Sequence, residues 1–156
     1  MATITAHAIT TDRSTTSDSG LASWPVWRVG VVFGIVAAVA ATAVAAVAQG
    51  LGVPMLVGQA GQAPMVVPIE AYAVSTIPSV ILGTIFAVVL ARKATQPVVW
   101  FVGVTVFLTL LSFGLPHTTQ YATIATRLSL DLTHIAAALA FIPVMAWRLS
   151  KVPARS

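Results

Sequence analysis

An all-α membrane protein, built as a bundle of four transmembrane helices, is the fold class this sequence predicts, and three observations predict it. Of its 156 residues 58% are hydrophobic and only 8% charged, whereas soluble domains carry roughly 25% charged residues. The mean hydropathy is +0.94. Four apolar runs, each near the length of about 20 residues that crosses a bilayer, are separated by glycine, proline and basic residues. A large soluble domain has no room in such a chain.

The first 24 residues, rich in Thr, Ser and Ala, show no helical or strand period and read as a disordered tail. The membrane domain is expected over residues 25–150. Its first span, about 27–49, follows Trp24, Trp27 and Arg28, residue types that mark a membrane interface. Ala46 and Ala48 in "AVAQG" fit a signal-peptidase site. The apolar run nevertheless exceeds the usual length of about 7–15 residues, and the span reads as retained. Residues 50–68 hold four of the ten glycines and three of the nine prolines, which makes them a loop. That loop is apolar, so it is expected to fold back on the bundle mouth, with Gln59 and Gln62 towards water.

Pro68 starts the second span, about 69–91, at a position where its missing N–H costs nothing. Arg92 and Lys93 end it. The third span covers about 96–115 and is expected to stop at Gly114 and Pro116. The fourth, about 125–147, is closed by Arg148 and Lys151, and 151–156 form a second short tail.

Orientation follows from the eight basic residues. Arg13, Arg28, Arg92, Lys93, Arg148, Lys151 and Arg155 fall on one side of such a bundle and Arg127 alone on the other. The excess predicts a protein of the plasma membrane with both termini in the cytoplasm. The net charge of +4 and the pI near 10.4 therefore read as topology signals and not as a nucleic-acid footprint. With no cysteine, disulfides, thiolate metal sites and the chemistry of four-helix thiol oxidoreductases are excluded. Compact four-helix drug exporters carry an essential carboxylate in their first span, and this one has none.

Between helices in lipid, association relies on small residues that let backbones approach. Gly30 and Gly34 in span one, with Ala38 a turn later, and Ser75, Ser79, Gly83, Ala87 and Ala91 along one stripe of span two, stand at four-residue spacing and are the expected packing positions. Pro78 and Pro143 inside spans two and four are expected to kink them.

The start of span four, "ATRLSLDLTHIAAALAFIP", is the one polar constellation. Arg127, Asp131 and His134 are spaced by four and three residues, so on a helix they share a face and descend about 10 Å. Arg127 and Asp131 can neutralise each other one turn apart. Glu70, in the first turn of span two at the same outer face, is the expected second partner of Arg127. His117, Gln120 and Tyr121 in the second outer loop are possible lids over a polar outward-facing pocket between spans two and four.

Three classes of function can use such a cluster. A structural membrane protein would use it to bind lipid, a partner or a second copy. A small intramembrane enzyme would use Asp131 and His134 as an acid–base pair. A proton-coupled carrier would load Asp131 or Glu70, but lacks polar steps towards the cytoplasm. Neither a cofactor nor a metal is expected: His117 and His134 belong to different segments and do not meet as axial ligands of one haem, and a zinc set of His134, Asp131 and Glu70 is supported by no motif. The non-catalytic reading ranks first.

Taken together, the stretches "WRVGVVFGIVAAVAA", "LARKATQPVVWF" and "ATRLSLDLTHIAAALAFIP" resemble the uncharacterised four-helix membrane proteins of actinobacteria that are grouped as a domain of unknown function. The resemblance covers roughly residues 25–150, with Arg127 and His134 matching its motif. It implies the fold and a membrane location and implies no reaction.

Overall fold

A computed structural model describes residues 20–58, 61 and 63–153. The tail through residue 19, Gln59 and Gln62, and Arg155 with its neighbours lie outside the described residues. Residues 21–23, inside the stretch expected to lack structure, form a single 3-10 turn, closed by a 2.8 Å hydrogen bond from Ser23 Oγ to the Gly20 carbonyl.

Helix α1 spans Val26–Gly50 behind Pro25, and α2 spans Ile69–Lys93 behind Pro68. Helix α3, Pro97–Ser112, has proline at its first position, where no N–H is needed. Helix α5, Ile124–Ser150, is capped by Thr123, whose Oγ1 accepts the Thr126 N–H at 3.1 Å. Four helical stretches, Val26–Gly50, Ile69–Lys93, Pro97–Thr118 and Ile124–Ser150, are long and apolar enough to cross a membrane.

Two connections differ from expectation. Gly114 and Pro116 do not end the third helical stretch. The chain turns at Phe113 and resumes as a short helix α4, Gly114–Thr118. Pro116 is the third residue of α4, within the first turn, where backbone N–H groups have no intrahelical partner and a proline is tolerated. The Gly/Pro loop is not irregular throughout either: β1, Leu56–Val57, pairs antiparallel with β2, Met65–Val66. Gly52 and Gly61 supply positive φ angles of 83° and 81° for the turns around it. The hairpin is tied down by Val67 N–H to the Met55 carbonyl at 3.1 Å and by Gln49 Nε2 to the Val67 carbonyl at 3.1 Å. Met55, held at φ 45°, plunges fully buried among Ala45, Ala48 and Tyr72.

Helix α1 is the centre of the bundle and packs along α5 and α2, while α3 leans chiefly on α5. The core at the end opposite the hairpin comprises Val29, Ala37, Ala87, Phe101, Phe141, Met145 and Leu149. A smaller core under the hairpin joins Ala45, Ala48, Met55 and Tyr72 to Ile69 and Leu130.

Gly30 and Gly34 are buried against Thr84 and Val80 of α2, where no Cβ would fit. Along α2 the expected stripe does not hold as one face. Ser75 and Ser79 are exposed, Gly83 meets Phe141, and Ala87 is fully buried. A four-residue step advances about 40° around a 3.6-residue helix, so three steps from Ser75 rotate the stripe by about 120°, out of the lipid and into the core. Pro78 and Pro143 sit on exposed faces. The start of α1, the end of α5 and the α2–α3 link share one end of the bundle, where Arg148 Nε donates to the Trp24 carbonyl at 2.8 Å and Arg28 and Lys151 lie over the rings of Trp27 and Trp147.

Candidate functional site

The polar residues of α5 face the α3–α4 wall at the hairpin end. Asp131 is not joined to Arg127. Its Oδ2 lies 3.1 Å from His117 Nε2, and that pair links α4 to α5. The His117 side chain is 53% exposed and that of Asp131 16%, so Asp131 supplies the fixed end and His117 the accessible one. His117, expected as a lid, is thus a member of the cluster. It arrives there because the turn at Phe113 starts α4 early enough to lay it beside the second turn of α5.

Arg127, one turn before Asp131, is half-buried. Its guanidinium donates to the Thr119 carbonyl at 3.3 Å, and its Nε is buried with no hydrogen-bond partner among the described residues. Glu70, the expected second partner, is exposed at the start of α2. No ion pair joins Glu70 to Arg127 among the described residues, because α5 turns this face to α4 and presents Leu130 to the start of α2.

His134 lies deeper. Its Nδ1 is 2.8 Å from the Leu130 carbonyl of its own helix. A carbonyl only accepts, so Nδ1 carries the proton and donates. The ring meets Phe113 edge-on at 6.4 Å. Asp131 and His134 therefore bond to different partners, and no acid–base dyad is assembled between them. Gln120 and Tyr121 do not cover the cluster. The Gln120 N–H donates to the Gly58 carbonyl at 3.3 Å, and the Tyr121 ring lies so close that a Cβ on Gly58 would be 2.7 Å from its Cδ2. They stitch the second connection to the hairpin.

Two apolar grooves are present elsewhere. One of about 800 Å³ runs between α1 and α2 past Gly34, Ala38, Thr42, Ala46, Ala73 and Ile77. The other, about 380 Å³, lies along α3 at Trp100 and Gly103. Neither is lined by Glu70, Arg127, Asp131 or His134. Among the described residues no group of three His, Asp or Glu side chains is placed to hold a metal.

Sequence reasoning missed the Thr119 carbonyl and the Thr123 cap. The second was findable: Thr123 and Thr126 bracket the helix start at capping distance, and their hydroxyls lie 3.0 Å apart. The first depends on the path of α4 and has no local signal.

A partly exposed polar contact such as His117–Asp131, even were it fully charged, contributes on the order of 0–1 kcal/mol. His117→Ala is therefore expected to leave the melting temperature in detergent nearly unchanged while raising amide hydrogen exchange across residues 114–121. A collapse of the whole fold would show the pair to matter far more than its exposure allows.

Four apolar helices with one polar patch at the hairpin end define a multi-span helical membrane protein. Residues 22–151 match DUF6069, a family of unknown function, and the chain belongs to that family. No curated protein matches the chain, and no solved structure matches it.

Proposed function

We propose that this is a multi-pass plasma-membrane protein, both termini in the cytoplasm, which performs no reaction of its own and engages lipid or a membrane partner through its outward-facing hairpin end. One observation carries the non-catalytic reading. Asp131 and His134, the only ionisable groups at depth in span four, are each bonded to a structural neighbour, His117 and the Leu130 carbonyl. An acid–base pair needs its members within reach of one substrate atom. Supporting the orientation, Arg28, Arg92, Lys93, Arg148 and Lys151 gather at the opposite end from Arg127, as basic residues do on the cytoplasmic side.

The test is recovery of the protein in native nanodiscs with mass spectrometry of bound lipids and proteins. Asp131→Asn and His134→Ala together are expected to leave that set unchanged. Accumulation of an unconverted small molecule in the double variant would overturn the reading in favour of an enzyme. Orientation is checked separately, because a chain without cysteine gives a clean background for labelling. Ala63→Cys in the hairpin loop is expected to react with an impermeant maleimide on intact cells, and Ala94→Cys in the α2–α3 link only after lysis. The reverse pattern would refute it.

A further inference from the structure

Arg127 occupies a place where its charge is opposed twice. It is the fourth residue of α5, and a cation in the first turn of a helix meets the positive end of the helix dipole. It is also half-buried at the end of an apolar bundle, where an uncompensated charge is costly. The carboxylate placed to compensate it, Asp131 one turn on, turns its Oδ2 to His117 at 3.1 Å, and its buried Oδ1 makes no hydrogen bond to Arg127 or to any other described residue. Glu70 stands apart and exposed. Of the five N–H donors that arginine carries, the described residues engage one, through the Thr119 carbonyl at 3.3 Å, and Nε is buried without a partner.

An anion at Arg127 relieves the charge and the dipole penalties, although Nε and the equally buried, unpartnered Oδ1 of Asp131 stay out of its reach. It neutralises the guanidinium, offers acceptors to its planar fork and sits favourably at the helix's positive end. We propose that Arg127 binds a phosphate group, as carried by a phospholipid headgroup or free in solution, and that His117 keeps the site open by holding Asp131 away from it. The proposal rests on the partner- or lipid-binding reading above and names its ligand chemistry. Phosphate suits the position because the first turn of a span lies at headgroup depth, and because the fork of a guanidinium matches two phosphate oxygens where a lysine would meet only one.

The experiment uses the full chain in detergent micelles. Native mass spectrometry reads retention of added phosphatidylglycerol, and a parallel thermal-unfolding assay titrates inorganic phosphate onto lipid-stripped protein. Arg127→Gln is expected to weaken retention about tenfold, the loss of a charged hydrogen-bonding group. Arg127→Lys should lose less. Asp131→Asn, which removes the competing carboxylate, should bind at least as well as wild type. If phosphate displaces the lipid and stabilises wild type but not Arg127→Gln, the source is free phosphate; if the lipid resists phosphate, it is the headgroup.

Should Arg127→Gln fail to fold, His117→Ala provides the second variant. It leaves Arg127 intact but releases Asp131 onto it, so retention should fall several-fold. Retention equal to wild type in Arg127→Gln or His117→Ala, or lost in Asp131→Asn, overturns the proposal. Those outcomes are distinct from failure of the underlying reading, which shows as an unconverted small molecule accumulating in native nanodiscs.

Discussion

Gly34→Leu is expected to be the most damaging single substitution in the membrane domain. Gly34 is buried where α1 crosses α2, and the space a Cβ would take is already filled by Val80. A leucine must push the two helices apart along a contact that continues one turn earlier at Gly30 against Thr84. Overpacking of this kind costs roughly 1–3 kcal/mol where side chains can adjust, and here the obstacle is a branched residue on a neighbouring helix. In a bilayer no hydrophobic drive restores the contact, because lipid solvates the separated faces as well as the partner helix did. Thermal unfolding in detergent, followed by size-exclusion fluorescence, should show a large drop for Gly34→Leu and almost none for Val39→Leu, whose side chain is exposed. Equal melting of the two variants would mean that α1 and α2 are not held together at Gly34.

Phe101→Ala is expected to come next. Phe101 is the one fully buried side chain of α3, with the ring of Phe86 on α2 at 6.3 Å and that of Phe141 on α5 at 6.4 Å, and Val98 and Val102 pack beside it. Removing a core phenylalanine costs about 3–5 kcal/mol in water-soluble proteins. Part of that is transfer from water, which lipid exposure diminishes. The cavity and the lost ring contacts remain, so roughly 2 kcal/mol or more is expected. Because the loss falls on one helix, the sharper readout is protease cleavage at the α2–α3 link, around Thr95. Faster cleavage in Phe101→Ala than in Phe107→Ala, an exposed ring on the same helix, is the expected result, and identical rates would refute it.

What the sequence revealed and what it concealed divide along physical lines. Helices in a bilayer must satisfy their own backbone and must be long, so runs of apolar residues punctuated by Pro68, Arg92, Lys93, Pro97 and Arg148 announce them without reference to any partner. The hairpin was hidden because two strands of two residues each carry no measurable period, and what fixes them is Met55, a residue whose burial beneath Tyr72 is decided in three dimensions. The polar cluster was half legible. Spacing placed Arg127, Asp131 and His134 on one face of one helix, but spacing within a helix favours partners four residues apart, such as Arg127 with Asp131. The structure chose His117, fourteen residues away, through a turn at Phe113 that reads in the sequence as a helix stop. Ser75 and Ser79 show the same limit in another form: four-residue spacing looks straight on paper and winds around a real helix.

The central position of α1 sets the order in which the molecule can be completed. That helix packs along α5 over its length as extensively as along α2, and α5 is the last of the four spans to emerge during synthesis. Until then α1 and α2 wait in the bilayer as a hairpin-tied pair with one unfilled seam, and the insertion machinery or neighbouring lipid must cover it. A chain interrupted by a premature stop near residue 120 would therefore insert three spans yet leave its oldest helix unmated. Such a fragment presents quality-control proteases with a persistent signal that a full-length chain shows only briefly, so truncation should lower abundance far more than any loss of the C-terminal residues beyond Ser150.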